Sequence, residues 1–290
     1  MKHNPDGSVR MSPSELKCAD TCMRQYYWKY VKRLDIKTKF NFGLALGSVA
    51  HTALDRIIKT RDSAEKQLPG VIFQEEWKKA KEKAGALWLD QEDLEDVPES
   101  VILSRAGQLV SGVAAAYQGL EILGTEEHVV RKFDRYHELH GYMDVRFRTP
   151  DGLLEIRDFK FGKQAKSEGD IINFWHQFVS YPWMAQEVFG GEYQAAMHTG
   201  AISLAAKPKA DFKHIIFPVK LDTKNMLVQL HDRMKYLVQH VLDAGCESDP
   251  VARYPHTGRA GGCCGWCDFA NICDGTVAES AYKEKAADAR

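Results

Sequence analysis

The stretch from Gly141 to Lys163 reads GYMDVRFRTPDGLLEIRDFKFGK. It parses as two strands joined by a turn. YMDVRF alternates around Asp144, and Thr149-Pro150-Asp151-Gly152 is a strong turn signal. LLEIRDF is apolar and ends in Asp158-Phe159-Lys160. The hairpin brings Asp144 near Asp158 and Lys160. Residues two apart on a strand point to one face, so Asp158 and Lys160 share one. Two carboxylates and a lysine at a hairpin end suit a divalent-metal site that cuts phosphodiesters. The carboxylates hold Mg²⁺ or Mn²⁺ through oxygen, and the metal lowers the pKa of a bound water. The lysine orients that water or stabilises the developing negative charge. A D-x-K triplet alone is commonplace at solvated strand ends, so the rest of the chain has to carry its share.

The chain has 290 residues, enough for one large domain or two smaller ones, and its 44% hydrophobic content suffices for a buried core. No apolar run reaches the length of a membrane span, and the opening MKHNPDGSVRMSPSEL lacks a signal-peptide core. A cytoplasmic setting without membrane contact is the expectation. The net charge of −1 gives no global field for nucleic acid, so any such contact needs a local basic groove. Seven cysteines fall at Cys18, Cys22, Cys246, Cys263, Cys264, Cys267 and Cys273. In a cytosolic chain this lopsided spacing points to a metal site closed between the two chain ends, not to disulfides.

Upstream of the hairpin, Ser12-Pro13-Ser14-Glu15 opens a helix capped by Ser12 or Ser14 and running through CADTCMRQYYWKYVKRL. There Tyr26, Tyr27, Trp28 and Tyr30 alternate with Arg24, Lys29, Lys32 and Arg33. Such interleaving can stack on and track a single nucleic-acid strand. It equally describes an amphipathic helix with basic edges. A second helix, about Leu44 to Thr60, carries His51, a structural histidine or a ligand. Helices are expected at 72–89 and 98–123, with DQEDLEDVPES between them as a solvated loop.

Strand periodicity begins near Glu127. After the hairpin, a helix from about Gly169 to Phe189 puts Gln177 and Tyr181 on one face, and Pro182 is expected to kink it or mark a break near it. Strands at 193–204 and 212–219 and a helix at 222–244 follow. This order argues for an α/β core with a mixed sheet and an N-terminal helical insertion. Near the end, Cys264, Cys267 and Cys273 are spaced C-x2-C-x5-C, with Cys263 an alternative to Cys264. Cys18 or Cys22 can supply a fourth thiolate, and Cys246 stands apart. Four thiolates fit either a structural zinc or a [4Fe–4S] cluster.

Together these pieces resemble the RecB-like branch of the PD-(D/E)xK nucleases, and within it the iron–sulfur members. Those include the AddB nuclease domain, the adaptation-stage CRISPR-associated exonucleases and phage-encoded relatives. The resemblance spans Ser12 to Cys273 with its motifs in the family's order. Ser12, Ser14, Leu16, Cys22, Arg24 and Tyr26-Tyr27 match the opening motif. LGSVAH matches the family's G-x-x-x-H helix, GYMD its G-x-x-D strand, and DFK its D-x-K strand. Gln177 and Tyr181 match Q-x-x-x-Y, and Cys264, Cys267 and Cys273 match the closing cysteines. Two positions depart from the pattern: Met23 stands where proline is usual, and Phe161 where threonine is usual.

The resemblance implies a restriction-endonuclease-like core within a single nuclease domain over residues 1–290. Its parts would be a cluster and DNA-binding arm at 12–39 and a helical region with His51 at 40–125. The nuclease core would follow at 126–225, then a C-terminal helix and cysteine cluster at 226–290. It further implies a [4Fe–4S] cluster on Cys22, Cys264, Cys267 and Cys273 that joins the two chain ends as a staple. His51, Asp144, Asp158 and the Phe159 carbonyl would hold Mg²⁺ or Mn²⁺, and Lys160 would position the water. Gln177 and Tyr181 would hold the substrate strand or Lys160, and Arg24, Tyr26 and Tyr27 would contact DNA. The implied activity is exonucleolytic cleavage of DNA, preferring single strands or free ends, in recombination, repair, phage DNA metabolism or CRISPR adaptation. With no Walker A loop, unwinding would come from a partner helicase; recombination or CRISPR integration factors are the other expected partners. Two readings of different class stand beside it: a catalytically inactive nucleic-acid-binding protein on a nuclease fold, and a zinc-stapled DNA-binding protein.

Overall fold

A computed structural model describes residues 2–3, 7–35, 42–61, 67–85, 97–203, 210, 212–244, 254–255, 264, 267–273 and 283–284. Cys246, Cys263 and most of the acidic 90–100 stretch lie outside the described residues. In chain order the elements begin with β1 (Lys2–His3), β2 (Val9–Met11), α1 (Pro13–Thr21), α2 (Met23–Tyr26), a π-turn (Tyr27–Val31) and β3 (Leu34–Asp35). Then come α3 (Phe42–Thr60), α4 (Pro69–Ala84), α5 (Glu99–Ala115), β4 (Glu121–Lys132), β5 (His137–Arg148) and β6 (Leu154–Gly162). A 3₁₀ segment (Glu168–Phe174) leads into α6 (Trp175–Phe189), followed by β7 (Tyr193–Ile202), β8 (Phe212–Pro218), α7 (Thr223–Ala244), α8 (Ala270–Cys273) and β9 (Lys283–Glu284).

The chain divides into two compact units: residues 39–129 with 142–221, and residues 1–38 with 130–141 and 222–290. In the first, β5 and β6 pair antiparallel, β6 and β7 parallel, and β7 and β8 antiparallel, with β4 also on β5. The parallel β6–β7 pair is bridged by α6, a βαβ crossover. One face of this mixed sheet packs Val145, Phe147 and Phe159 against Leu46, Ala50 and Leu54 of α3, Phe73 and Trp77 of α4 and Leu109 and Val113 of α5. A second cluster joins Phe178 of α6 to Ala195 and Met197 of β7. Burial of such side chains, about 1.5–3 kcal/mol each, is what sets the helices on the sheet.

In the second unit, β2 pairs parallel with the first residues of β5, and β1 antiparallel with β2. β3 pairs with β9, so early and late chain segments meet there. Ser12 caps α1 by accepting the Glu15 amide.

Two sequence expectations are corrected. The first helix is not continuous, because Cys22 is extended (φ −161°, ψ 114°) between α1 and α2. The turns that follow bury Tyr26, Tyr27 and Trp28. A regular helix spaces successive residues by about 100° and cannot turn three consecutive rings inward; a π-turn widens the arc. α5 ends at Ala115, not near 123, since Gly119 (φ 74°) reverses the chain and Glu121 already begins β4. Pro182 sits inside α6 without ending it.

Candidate active site at the end of the β5–β6 ladder

The hairpin turn at 149–152 places Gly152 at φ 88°, as its Asp-Gly signal requires, and fixes the register Val145↔Arg157 through Arg148↔Leu154. The ladder stops there. The next facing positions in that register are Asp144 and Asp158. In place of a ladder bond, the Phe159 amide donates to Asp144 Oδ2. The amide and carbonyl of one strand residue point to the same side, so the Phe159 carbonyl is directed toward Asp144 as well. On the other side β6 is held by β7 in the register Asp158↔Met197 to Lys160↔Thr199, and Thr199 Oγ1 donates to the Lys160 carbonyl.

The side chains converge on this break. His51, on α3, has Nδ1 3.4 Å from Asp144 Oδ1. Its ring meets Phe159 and Phe161 edge-on at centroid distances of 5.6 and 5.8 Å. α3 comes this close because Gly47 lies under the sheet: a Cβ there would stand 2.8 Å from the Phe161 carbonyl oxygen. Lys160 Nζ donates to Asp158 Oδ2 and lies 5.0 Å from the Phe174 ring centroid. From α6, Gln177 Nε2 donates to Tyr181 Oη at 3.1 Å. Tyr181 is buried, and its hydroxyl is pushed well up by burial and by the charges of Asp158 and Asp144.

The electrostatics pull the two aspartates apart. Burial raises Asp144, but His51, Lys160 and the Phe159 amide outweigh it and hold the carboxyl below its ordinary value. Burial and the neighbouring Asp144 charge raise Asp158 despite Lys160. His51 is raised: burial lowers it, and Asp144 and Asp158 more than restore it. Two buried carboxylates whose repulsion is only partly relieved suit a hard cation between them.

A residue the sequence did not single out joins the group. Glu126, in the left-handed region at φ 49°, puts a carboxylate oxygen within 4.8 Å of ligand atoms of both His51 and Asp144. Burial and Asp144 push it up to about 7. Spacing could not have found it, because β4–β5 register is a long-range property.

In the other unit, Cys18 and Cys22 are buried, while Cys264, Cys267 and Cys273 are half-buried and all five are unbridged. Cys22 lies within electrostatic reach of Cys18, Cys267 and Cys273, and Cys264 within reach of Cys273. Burial and neighbouring thiols push Cys18 up to about 12, against Lys29. Burial, Cys273 and Cys22 push Cys267 up to about 11.

Arg24 donates from its guanidinium to the Tyr254 carbonyl; burial raises the Cys273 thiol, and Arg24 lies close enough to oppose that rise in part. Tyr26 and Tyr27 are 0% and 2% exposed, so their rings are interior rather than open to a strand; Tyr27 packs 4.5 Å from Tyr254. For these two residues the amphipathic-helix reading describes what is seen.

Asp134, His137 and His231 form a further carboxylate–imidazole group. Asp134 accepts His137 Nδ1 at 2.9 Å and His231 Nε2 at 2.8 Å. Ligands on one zinc at 2.0–2.1 Å would stand about 3.3 Å apart, so these contacts are hydrogen bonds. They fasten α7 to the turn before β5.

The α/β fold thus gathers two aspartates, a lysine and a helix-borne histidine at one break in a mixed sheet. The chain belongs to the PD-(D/E)XK nuclease superfamily, whose model matches residues 10–274. Among solved structures, a protein of Eubacterium rectale provisionally named an exonuclease is similar at 12% identity, with a TM-score of 0.51 over 85% of this chain and 89% of that one. At that identity the likeness speaks for the fold. SSO0001 aligns at 13% identity over 96% of this chain and 90% of its own, with a TM-score of 0.40. No curated protein matches the chain. Among the described residues, no helix is long and apolar enough to cross a membrane.

Proposed function

We propose that this nuclease is a Mg²⁺- or Mn²⁺-dependent deoxyribonuclease that digests from free ends and prefers single strands. The observation that carries the metal dependence is the pairing of Asp144 and Asp158 at the ladder break, with His51 and Lys160 on them. His51, Glu126, Asp144, Asp158 and the Phe159 carbonyl would hold the metal, which supplies a water of lowered pKa. Asp158 holds the Lys160 ammonium beside the site, where it orients the water or meets charge developing on the phosphate. Tyr181, hydrogen-bonded to Gln177, stays protonated and can donate to a non-bridging phosphate oxygen. The preference for DNA ends, and a place in recombination, repair, phage DNA metabolism or CRISPR adaptation beside a helicase or integration partner, rest on the resemblance of the motifs.

By the resemblance of its motifs, the chain would hold a [4Fe–4S] cluster on Cys22, Cys264, Cys267 and Cys273, and these thiols lie within electrostatic reach of one another. Between Cys18 and Cys22, the register of the opening motif favours the latter; Cys267 lies within electrostatic reach of both. Arg24 beside Cys273 offsets thiolate charge. The test is digestion of end-labelled single- and double-stranded DNA by anaerobically purified protein, with and without Mg²⁺ or Mn²⁺. Metal-dependent release of short products from single strands is expected; intact substrate under every condition would overturn the proposal.

A further inference from the structure

We infer that Tyr142, backed by His128, is a stacking platform for an unpaired nucleobase next to the metal site; the inference rests on the nuclease reading and names a base subsite for it. Tyr142 lies two residues before Asp144 on β5. Met143 and Val145, on either side of Asp144, are fully buried, so strand alternation turns the Tyr142 ring away from the core that Val145 joins. The step between them is about 6.8 Å along the strand, roughly the separation of a phosphate from a base it carries.

Unlike Tyr26 and Tyr27, this ring is open: Tyr142 is 56% exposed. It is also positioned. The His128 imidazole lies 4.7 Å from it, centroid to centroid, at an interplanar angle of 33°. His128 comes from β4, which also brings Glu126 to Asp144. One strand pair thus carries the metal-facing carboxylates and, next to them, an aromatic pair. The other face of this ring is left in water beside a polar site, and every base has a π-face to cover it. A base stacked there would be available in a single strand or a frayed end, since in a duplex it is paired and stacked on its neighbours. Covering the ring would also favour one strand direction across the site, because the metal and the platform lie at different points along β5.

The test measures binding and cleavage separately. Fluorescence anisotropy in Ca²⁺ gives affinity for a labelled single strand and for the same strand with abasic sites in place of its bases. Digestion in Mg²⁺ gives activity. Tyr142→Ala should weaken binding to the intact strand about tenfold, and Tyr142→Phe should bind like the parent. On the abasic strand, Tyr142→Ala and the parent should bind alike. Thermal melting should fall only slightly, since the ring is half in solvent and the fold loses one cross-strand ring pair. An intact-strand affinity unchanged in Tyr142→Ala, or an equal loss on the abasic strand, would overturn the platform. A parent protein that digests DNA while Tyr142→Ala shows no base-dependent loss removes the platform and leaves the nuclease reading standing. A base-dependent loss without digestion in any metal removes the nuclease reading and leaves the platform.

Discussion

The Asp144 carboxylate accepts the backbone amide of Phe159, so the side chain proposed to hold the metal also closes the end of the β5–β6 ladder. On the proposed function, catalysis and strand geometry would be joined in one group. Asp144→Asn keeps an acceptor and should leave the fold intact while lowering activity on the order of a hundredfold or more. Asp144→Ala leaves the amide unsatisfied and should additionally cost about 1–3 kcal/mol of stability. Chemical denaturation of both variants checks this; equal stability of the two would show that the amide does not depend on the carboxylate.

Glu126 is expected to act as a ligand rather than a bystander. Glu126→Gln removes one oxygen charge beside His51 and Asp144 and should weaken Mn²⁺ binding about tenfold or more, an effect of the size seen when a metal site loses a supporting carboxylate. Isothermal titration would show this as a shift in dissociation constant, and an unchanged value would remove Glu126 from the site.

The hairpin was legible because its signals are local: a turn dipeptide, alternation and a D-x-K triplet lie within one stretch. His51 was legible from its helix and motif context. Glu126 was not, because what brings it to Asp144 is a strand pairing and a left-handed backbone angle that no spacing records. Tyr26 and Tyr27 show the reverse error. Their alternation with basic residues suits a strand-tracking surface, but burial is decided by packing partners such as Tyr254, 227 positions beyond Tyr27 in the sequence. Cys22 illustrates both, since its motif was visible while the helix break at it was not.

The cysteine staple predicts that Cys22→Ala, Cys264→Ala, Cys267→Ala and Cys273→Ala each lose iron and the absorbance near 400 nm. The proposed metal–thiolate bonds would join distant parts of the chain, so these variants should also melt earlier. Cys18→Ala should keep its iron. Full iron in Cys22→Ala with loss in Cys18→Ala would assign the fourth ligand to Cys18.

Asp134 gives a pH dependence. Burial raises its pKa, but hydrogen bonds from His137, the Tyr136 amide and His231 hold it below the ordinary value of 3.8. A depressed carboxylate binds fewer protons folded than unfolded. Its stabilisation is therefore present above the unfolded pKa and is lost as pH falls through the folded one. His137 and His231 face it, and Lys132 and Arg135 line the adjoining surface. Asp134→Asn should lower the melting temperature at neutral pH and narrow its gap to the parent below about pH 3. A gap independent of pH would contradict an ionised, hydrogen-bonded Asp134.

Lys160 tests the central claim most directly. It is held by Asp158 and cannot itself bind Mg²⁺ while protonated, so its removal separates chemistry from metal binding. The measurement is the digestion rate of end-labelled single-stranded DNA by Lys160→Ala protein that is folded, loaded with iron and titrated with Mn²⁺. The account predicts near-parental Mn²⁺ affinity with a rate lowered on the order of a hundredfold or more. Digestion at the parental rate would contradict it.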